Sequence, residues 1–362
     1  MTTLAEQKRE AAAFDEAKFN AFLGRVIGDF GAALSLNLNY IGVKLGLYKA
    51  LGKHGPATSA ELAKKTKLKE RYIREWLLNQ AAGGYIEYDQ STGRYHLPQE
   101  HAGPLTDDKH PMYVAGGFFV IKAMSRAVEQ IEKSFKTGGG ILWGDHDPDL
   151  FIGTERFFRP GYVAHLVDAW IPALAGVEAK LKKGAVVADV GCGHGASTIL
   201  MAQAFGKSKF YGFDNHKSSV KTATARAKEA KVSKNARFVA SDAKHIPNHS
   251  YDVITFFDCF HDMGDPLGAA KRAYQVLKDD GTVMMVEPMA GHTVEANFNA
   301  IGRTFSAAST LCCTANSLAL KGPGLGAVAS DRALSAMFHK AGFKHFRRAA
   351  ETPFNRIFEI KK

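Results

Sequence analysis

The segment FFDCFHDMGDP, residues 256–266, gathers side chains that can hold or move a proton: Asp258, His261, Asp262 and Asp265. An imidazole whose ordinary pKa lies near 6.5 suits general-base work at neutral pH. A hydroxyl that attacks in an in-line displacement must shed its proton, and His261 is the expected acceptor of it. Glu287, closing the apolar run TVMMVE, would orient the imidazole. The plainer alternative makes His261 a helix cap or a substrate hydrogen-bond donor at a crevice rim. Asp258, His261, Asp262 and Asp265 are also hard-ligand types of the sort that bind magnesium. Their spacing matches no metal motif, and no metal is expected.

A second concentration of chemistry lies upstream. VVADVGCGHGAS, residues 186–197, sets Gly191, Gly193 and Gly195 between a strand-like run and a helix-like one. Glycines there let the backbone approach a ligand, and a helix N-terminus offers free N–H groups. The spacing also fits a dinucleotide fingerprint, with Ala196 in its final slot. Acids at successive strand ends decide between the two. Asp189 can hold an ammonium, a demand that a nicotinamide dinucleotide does not make. Asp214 can accept both ribose hydroxyls, and Asp242 the exocyclic amine of adenine. Together they describe an adenosyl ligand with an amino-acid arm, a sulfonium and no pyrophosphate, which is S-adenosylmethionine (SAM). Cys192, Asn215, Ala243, Phe257 and Asp258 adjoin these positions and are expected in the same site. Ahead of them, Arg159 is a natural partner for a carboxylate, and Tyr162, with Phe157 and Phe158, can cover the substrate. For the phenylalanines, packing of a helix on a sheet is the alternative. Trp143 and His146 either line an acceptor pocket or anchor a loop.

The elements that carry these residues alternate. From Gly184 the runs AVVADV, KFYGF, ARFVA, YDVITFF and TVMMVE read as strands, with helices between most of them. This predicts an α/β domain over 184–362, a doubly wound Rossmann-like sheet of parallel strands. FKHFRRA and NRIFEI, joined by a short link, should add an antiparallel hairpin at its end. Residues 288–329 form a long insertion, expected as a wall or lid over the site. Residues 111–183 read as a broken helical connector that closes the pocket. In the first 110 residues, apolar helices over 18–51 precede a capped helix, a turn, and a helix with Ile73, Trp76, Leu77 and Ala81 on one face. Two short strands, YIEY and RYHL, follow, which is the pattern of a winged helix. The apolar surface of the first helices suggests burial against a second copy, hence a homodimer.

Composition narrows the rest. The chain has 362 residues, 46% of them hydrophobic, and a net charge of +11. Its basic residues are scattered among acids, so charge alone selects no partner. Four cysteines without paired spacing indicate neither a disulfide framework nor a zinc finger and suit a reducing cytoplasm. The polar opening MTTLAEQKREAAAFDEAKF has no secretion-signal pattern, and no run is apolar enough to span a membrane. In KKTKLKERYIR, Arg71 and Arg74 alternate with Glu70 and Glu75, which would repel phosphate, so nucleic acid is not the expected partner.

YIREWLLNQAAGGY, GTERFFRPGY, ADVGCGHGAS, FFDCFHDMGDP and AAETPFN together resemble the class I SAM-dependent methyltransferases, specifically the winged-helix-bearing bacterial enzymes of mycobacterial type. The resemblance implies that Gly191, Gly193, Asp214, Asp242 and Ala243 line the SAM site. His261-Asp262 sits where similar small-molecule O-methyltransferases carry a catalytic His-Asp pair. Where those enzymes place a second buttressing acid, this sequence offers only Asp331. The resemblance also implies that the N-terminal module serves dimerisation and pocket closure. The expected activity is methyl transfer to a heteroatom of a small molecule, most readily oxygen. N- or S-methylation by proximity alone, or a SAM-responsive regulator with a DNA-binding winged helix, are the alternatives.

Overall fold

The computed structural model describes residues 14–362. Residues 1–13 of the polar opening segment lie outside the described residues. The chain divides into two compact units between Ala102 and Gly103.

The first unit runs through α1 (Glu16–Lys44), α2 (Leu47–His54), α3 (Ser59–Thr66), α4 (Glu70–Ala82) and an antiparallel hairpin of β1 (Glu87–Asp89) and β2 (Arg94–His96). Thr58 starts α3 with a reciprocal cap: its hydroxyl accepts from Glu61 N, and the Glu61 carboxylate accepts from Thr58 N. Gly83 and Gly84 end α4. The buried face of α4 is Ile73, Trp76, Leu77 and Gln80, so Gln80 takes the place expected for Ala81. A glutamine is tolerated there because its amide is engaged: it accepts from the Tyr48 hydroxyl and donates to Asn39 Oδ1 at 2.8 Å. Helix, turn, helix and hairpin make the expected winged helix. On α1, Phe22, Ile27, Phe30 and Leu34 are all more than half exposed.

α5 (Gln99–Thr106) spans the division. In the second unit α6 (Gly116–Ser125), α7 (Val128–Thr137), α8 (Asp149–His165) and α9 (Val177–Lys183) come before the sheet. The sheet and its helices follow as β3 (Val186–Val190), α10 (Ala196–Ala204), β4 (Lys209–Asp214), α11 (Lys217–Glu229), β5 (Ala236–Ala240), β6 (Tyr251–Phe257), α12 (Pro266–Val276) and β7 (Leu277–Pro288). The chain ends with α13 (Ala300–Ala308), α14 (Thr314–Ala319), α15 (Asp331–Ala341), β8 (His345–Glu351) and β9 (Asn355–Lys361). The strand order is β5-β4-β3-β6-β7-β9-β8. β3 to β7 are parallel, and β9 runs antiparallel to both β7 and β8. The terminal hairpin is therefore present as expected.

Alternation along β7 divides the core into two layers. Met284 and Val286 face Trp170, Met201 and Ala227 on one side. Val283 and Met285 face Ala273, Leu334 and Phe338 on the other. Helices on both faces bury both sides of the strands, which explains their nearly continuous apolar runs. The connector expected at 111–183 is part of this second unit, with Trp170 and Leu174 in its first core layer. Strand order reverses between β3 and β6, which opens a crevice at the carboxyl ends of the strands. Among the described residues no helix is long and apolar enough to cross a membrane.

Candidate active site

A cavity of about 380 Å³ occupies that crevice, within the usual range of small-ligand sites. The glycine loop forms one wall. Gly191 has φ +74°, and a Cβ there would stand 2.5 Å from Cys259 Sγ, so the loop folds this tightly only with glycine. Gly191, Cys192 and Gly193 line the cavity with Asp214, Asn215, Asp242, Ala243, Phe257, Asp258 and Tyr162.

Asp214 ends β4. One of its carboxylate oxygens accepts from Gly193 N at 2.9 Å and the other from His216 N at 2.8 Å. Burial raises its pKa, an effect opposed by these amide bonds. Asp242 accepts from Lys244 N at 2.9 Å. Each carboxylate keeps lone pairs beyond those its own loop uses, which fits a ribose diol and an adenine amine. The glycine cradle, the two acids and the apolar walls together fit SAM.

Two of the residues expected to contact the cofactor, Asp189 and Arg159, do not line the cavity. Asp189 is fully buried and does not line the cavity. Its carboxylate accepts from the hydroxyls of Ser197 (2.7 Å), Thr198 (2.5 Å) and Thr255 (2.8 Å), so it ties β3 to the start of α10 and to β6 rather than holding an ammonium. Arg159 is exposed and is absent from the cavity wall. One turn earlier on α8, Glu155 lines the wall instead. Its carboxylate lies 3.0 Å from His194 Nδ1 and also bonds Arg226. Burial favours protonation of Glu155, but these two partners hold its pKa below the usual glutamate value.

The reacting end is built by the ends of β6 and β7. Asp258 has a left-handed backbone, φ +50°, and lines the cavity. Tyr162 Oη donates to it at 2.5 Å and Asn355 Nδ2 at 2.7 Å. Burial pushes its pKa up to about 7. His261 is buried and is not part of the cavity wall, whereas its neighbour Asp262 is. His261 Nδ1 stands 2.6 Å from Glu287 Oε2, and Glu287 Oε1 accepts from Phe260 N. The Cys313 side chain lies near enough to the imidazole to influence its charge. Burial, the largest single influence, favours neutral imidazole, yet the Glu287 charge, the Cys313 side chain and the hydrogen bond to Glu287 together outweigh it and hold the pKa well above the ordinary histidine value. Burial pushes the Asp262 carboxyl up to about 7. Arg356 lies directly across from Glu287 in the β7–β9 register and pairs with Asp331 at 2.7 Å. Asp331 thus supports the buried arginine rather than the histidine. Among the described residues, no three His, Cys, Asp or Glu side chains cluster closely enough to hold a metal.

The segment expected as a wall contributes Asn316 and Leu320 to the cavity. Asn316 Nδ2 donates to Asp262 O, and its Oδ1 accepts from Trp143 N, which fixes the reacting end to that wall. Trp143 also lines the cavity; His146 is buried without doing so. Sequence reasoning passed over Glu155, His194 and Asn316. His194, inside the glycine motif, was the one with a visible signal.

Residues 181–342 match the methyltransferase-domain family model, and residues 32–107 match the Rv2258c-like winged helix-turn-helix domain. No curated protein matches the chain. Mitomycin 7-O-methyltransferase is similar in structure, at 20% identity and TM-score 0.69, covering 96% of this chain and 100% of its own. Human N-acetylserotonin methyltransferase, solved with SAM, gives 15% identity and TM-score 0.68, covering 97% and 99%. An O-methyltransferase from neocarzinostatin biosynthesis, solved with SAM and 2-hydroxy-5-methyl naphthoic acid, gives 15% and 0.61, covering 91% and 96%. At these identities the likeness is one of fold. The two matches give this chain a methyltransferase domain over 181–342, the part that builds most of the cavity wall, and an Rv2258c-like winged helix-turn-helix domain over 32–107.

Proposed function

We propose that this chain transfers the methyl group of SAM to an oxygen of a small-molecule acceptor, with His261 as general base and Glu287 as its orienting partner. The observation that supports this most is the 2.6 Å contact between His261 Nδ1 and Glu287, directly after β6. When bound, SAM supplies an electrophilic methyl on a sulfonium with an excellent leaving group. The chain's own residues then have two tasks, alignment and proton removal. The glycine loop, Asp214 and Asp242 align the donor, and Tyr162, Phe158, Trp143 and Asn316 enclose the acceptor. Glu287 fixes Nδ1 and leaves the other imidazole nitrogen to take the hydroxyl proton. Two of the fold neighbours are named O-methyltransferases, one of them bound to a hydroxynaphthoic acid.

A second reading gives the proton to Asp262, which faces the cavity and titrates at about 7. Turnover by His261→Ala and Asp262→Asn separates the two. The first reading expects His261→Ala to lose about 100-fold or more in rate while Asp262→Asn keeps most of it; the reverse order would establish Asp262.

The apolar stripe on α1 supports a homodimer formed through the N-terminal helices. Light scattering should give a dimer that Phe30→Glu with Leu34→Glu converts to a monomer. On α4, Arg74 is held by Glu70 at 2.8 Å and Arg71 by Glu75, which speaks against DNA as the partner. The free cysteines accord with a cytoplasmic setting.

A further inference from the structure

The amino-acid arm of SAM is a zwitterion, and neither of the two residues expected to receive it lines the cavity. Asp189 is enclosed by three hydroxyls, and Arg159 is exposed. Among the described residues lining the cavity, only His194 and Lys244 can carry positive charge. Lys244 pairs with Asp265 at 3.4 Å and follows Asp242, so it stands at the adenine end. His194 lies inside the glycine loop, next to Gly193, with the Glu155 carboxylate 3.0 Å from its ring. Both members of this pair are mostly buried and both line the cavity. Arg226, behind Glu155, supplies a further positive charge and fixes the carboxylate.

We propose that the His194–Glu155 pair is the receptor for the amino-acid arm, His194 facing its carboxylate and Glu155 its ammonium, with Arg226 as a positioning residue for Glu155. A hydrogen-bonded imidazole–carboxylate pair offers one partner to each end of the zwitterion, and each of its members keeps a partner when the site is empty. The pair therefore selects SAM and S-adenosylhomocysteine over adenosyl compounds that lack the arm.

The proposal rests on SAM as the cofactor, and calorimetry with two ligands keeps the two questions apart. S-adenosylhomocysteine carries the arm; 5′-methylthioadenosine has the same adenosine and sulfur without it. His194→Ala and Glu155→Gln should each weaken S-adenosylhomocysteine about tenfold or more, with Arg226→Ala weaker in the same direction. All three should bind 5′-methylthioadenosine as the unsubstituted protein does, which also shows that the adenosine site is folded. Equal losses for both ligands would make the pair a structural latch, and no loss for either would place the arm elsewhere; both outcomes overturn the proposal. Failure of the unsubstituted protein to bind S-adenosylhomocysteine would instead count against the cofactor.

Discussion

At the adenosine end of the cavity, Asp214 and Asp242 are held by backbone amides of their own loops. At the reacting end, Asp258 is held by Tyr162 and Asn355, and His261 by Glu287, partners distant in sequence. The first arrangement uses local turn geometry to fix acceptors along the cavity wall, as our reading requires for a neutral sugar and base. The second encloses acids and a histidine together: burial pushes Asp258 and Asp262 up to about 7, while Glu287 and Cys313 raise His261 against its burial. Binding needs fixed acceptors, whereas proton transfer needs groups poised between two states. One sheet edge provides both because local loops serve the first and long-range contacts the second.

The comparison can be broken most severely at Asp189, which belongs to neither end. Asp189→Ala leaves three buried hydroxyls without their acceptor and should cost about 3 kcal/mol of stability by chemical denaturation. The folded protein should retain its affinity for S-adenosylhomocysteine within a few-fold. Asp214→Ala tests the adenosine end. Loss of charge-assisted bonds to the ribose should weaken S-adenosylhomocysteine by about 10- to 100-fold, with a small change in melting temperature.

The reacting end is sharpened by pH. Glu287 holds His261 protonated beyond the ordinary histidine range, and an imidazolium cannot accept a proton. The single-turnover rate should therefore rise with pH along a limb lying above about 6.5, the ordinary histidine pKa. His261→Ala should abolish that limb. The smallest effect belongs to Arg159→Ala, which should leave affinity for S-adenosylhomocysteine and turnover unchanged, because the side chain faces solvent.

Legibility in the sequence follows the same division. The winged helix, the strand–helix alternation, the terminal hairpin and the placement of Gly191, Gly193, Asp214 and Asp242 on the cavity wall declared themselves through local signals: caps, glycines and acids at strand ends. Asp189 was misread because the hydroxyls that occupy it come from α10 and β6, and spacing does not show which of two neighbouring groups an acid will choose. Arg159 was misread for a helical reason. One turn separates it from Glu155, and only the packing of α8 decides which faces inward. Asn316 carried no motif; its role arises from the wall that α14 makes beside Asp262.

The most direct test of the central claim is incubation with metabolite extract and methyl-deuterated SAM, followed by mass spectrometry of the small-molecule products. The account predicts a labelled methyl on an oxygen of a small acceptor, formed by the unsubstituted protein and lost in His261→Ala. A label on nitrogen or sulfur, or one that persists at near the full rate in His261→Ala, would contradict it.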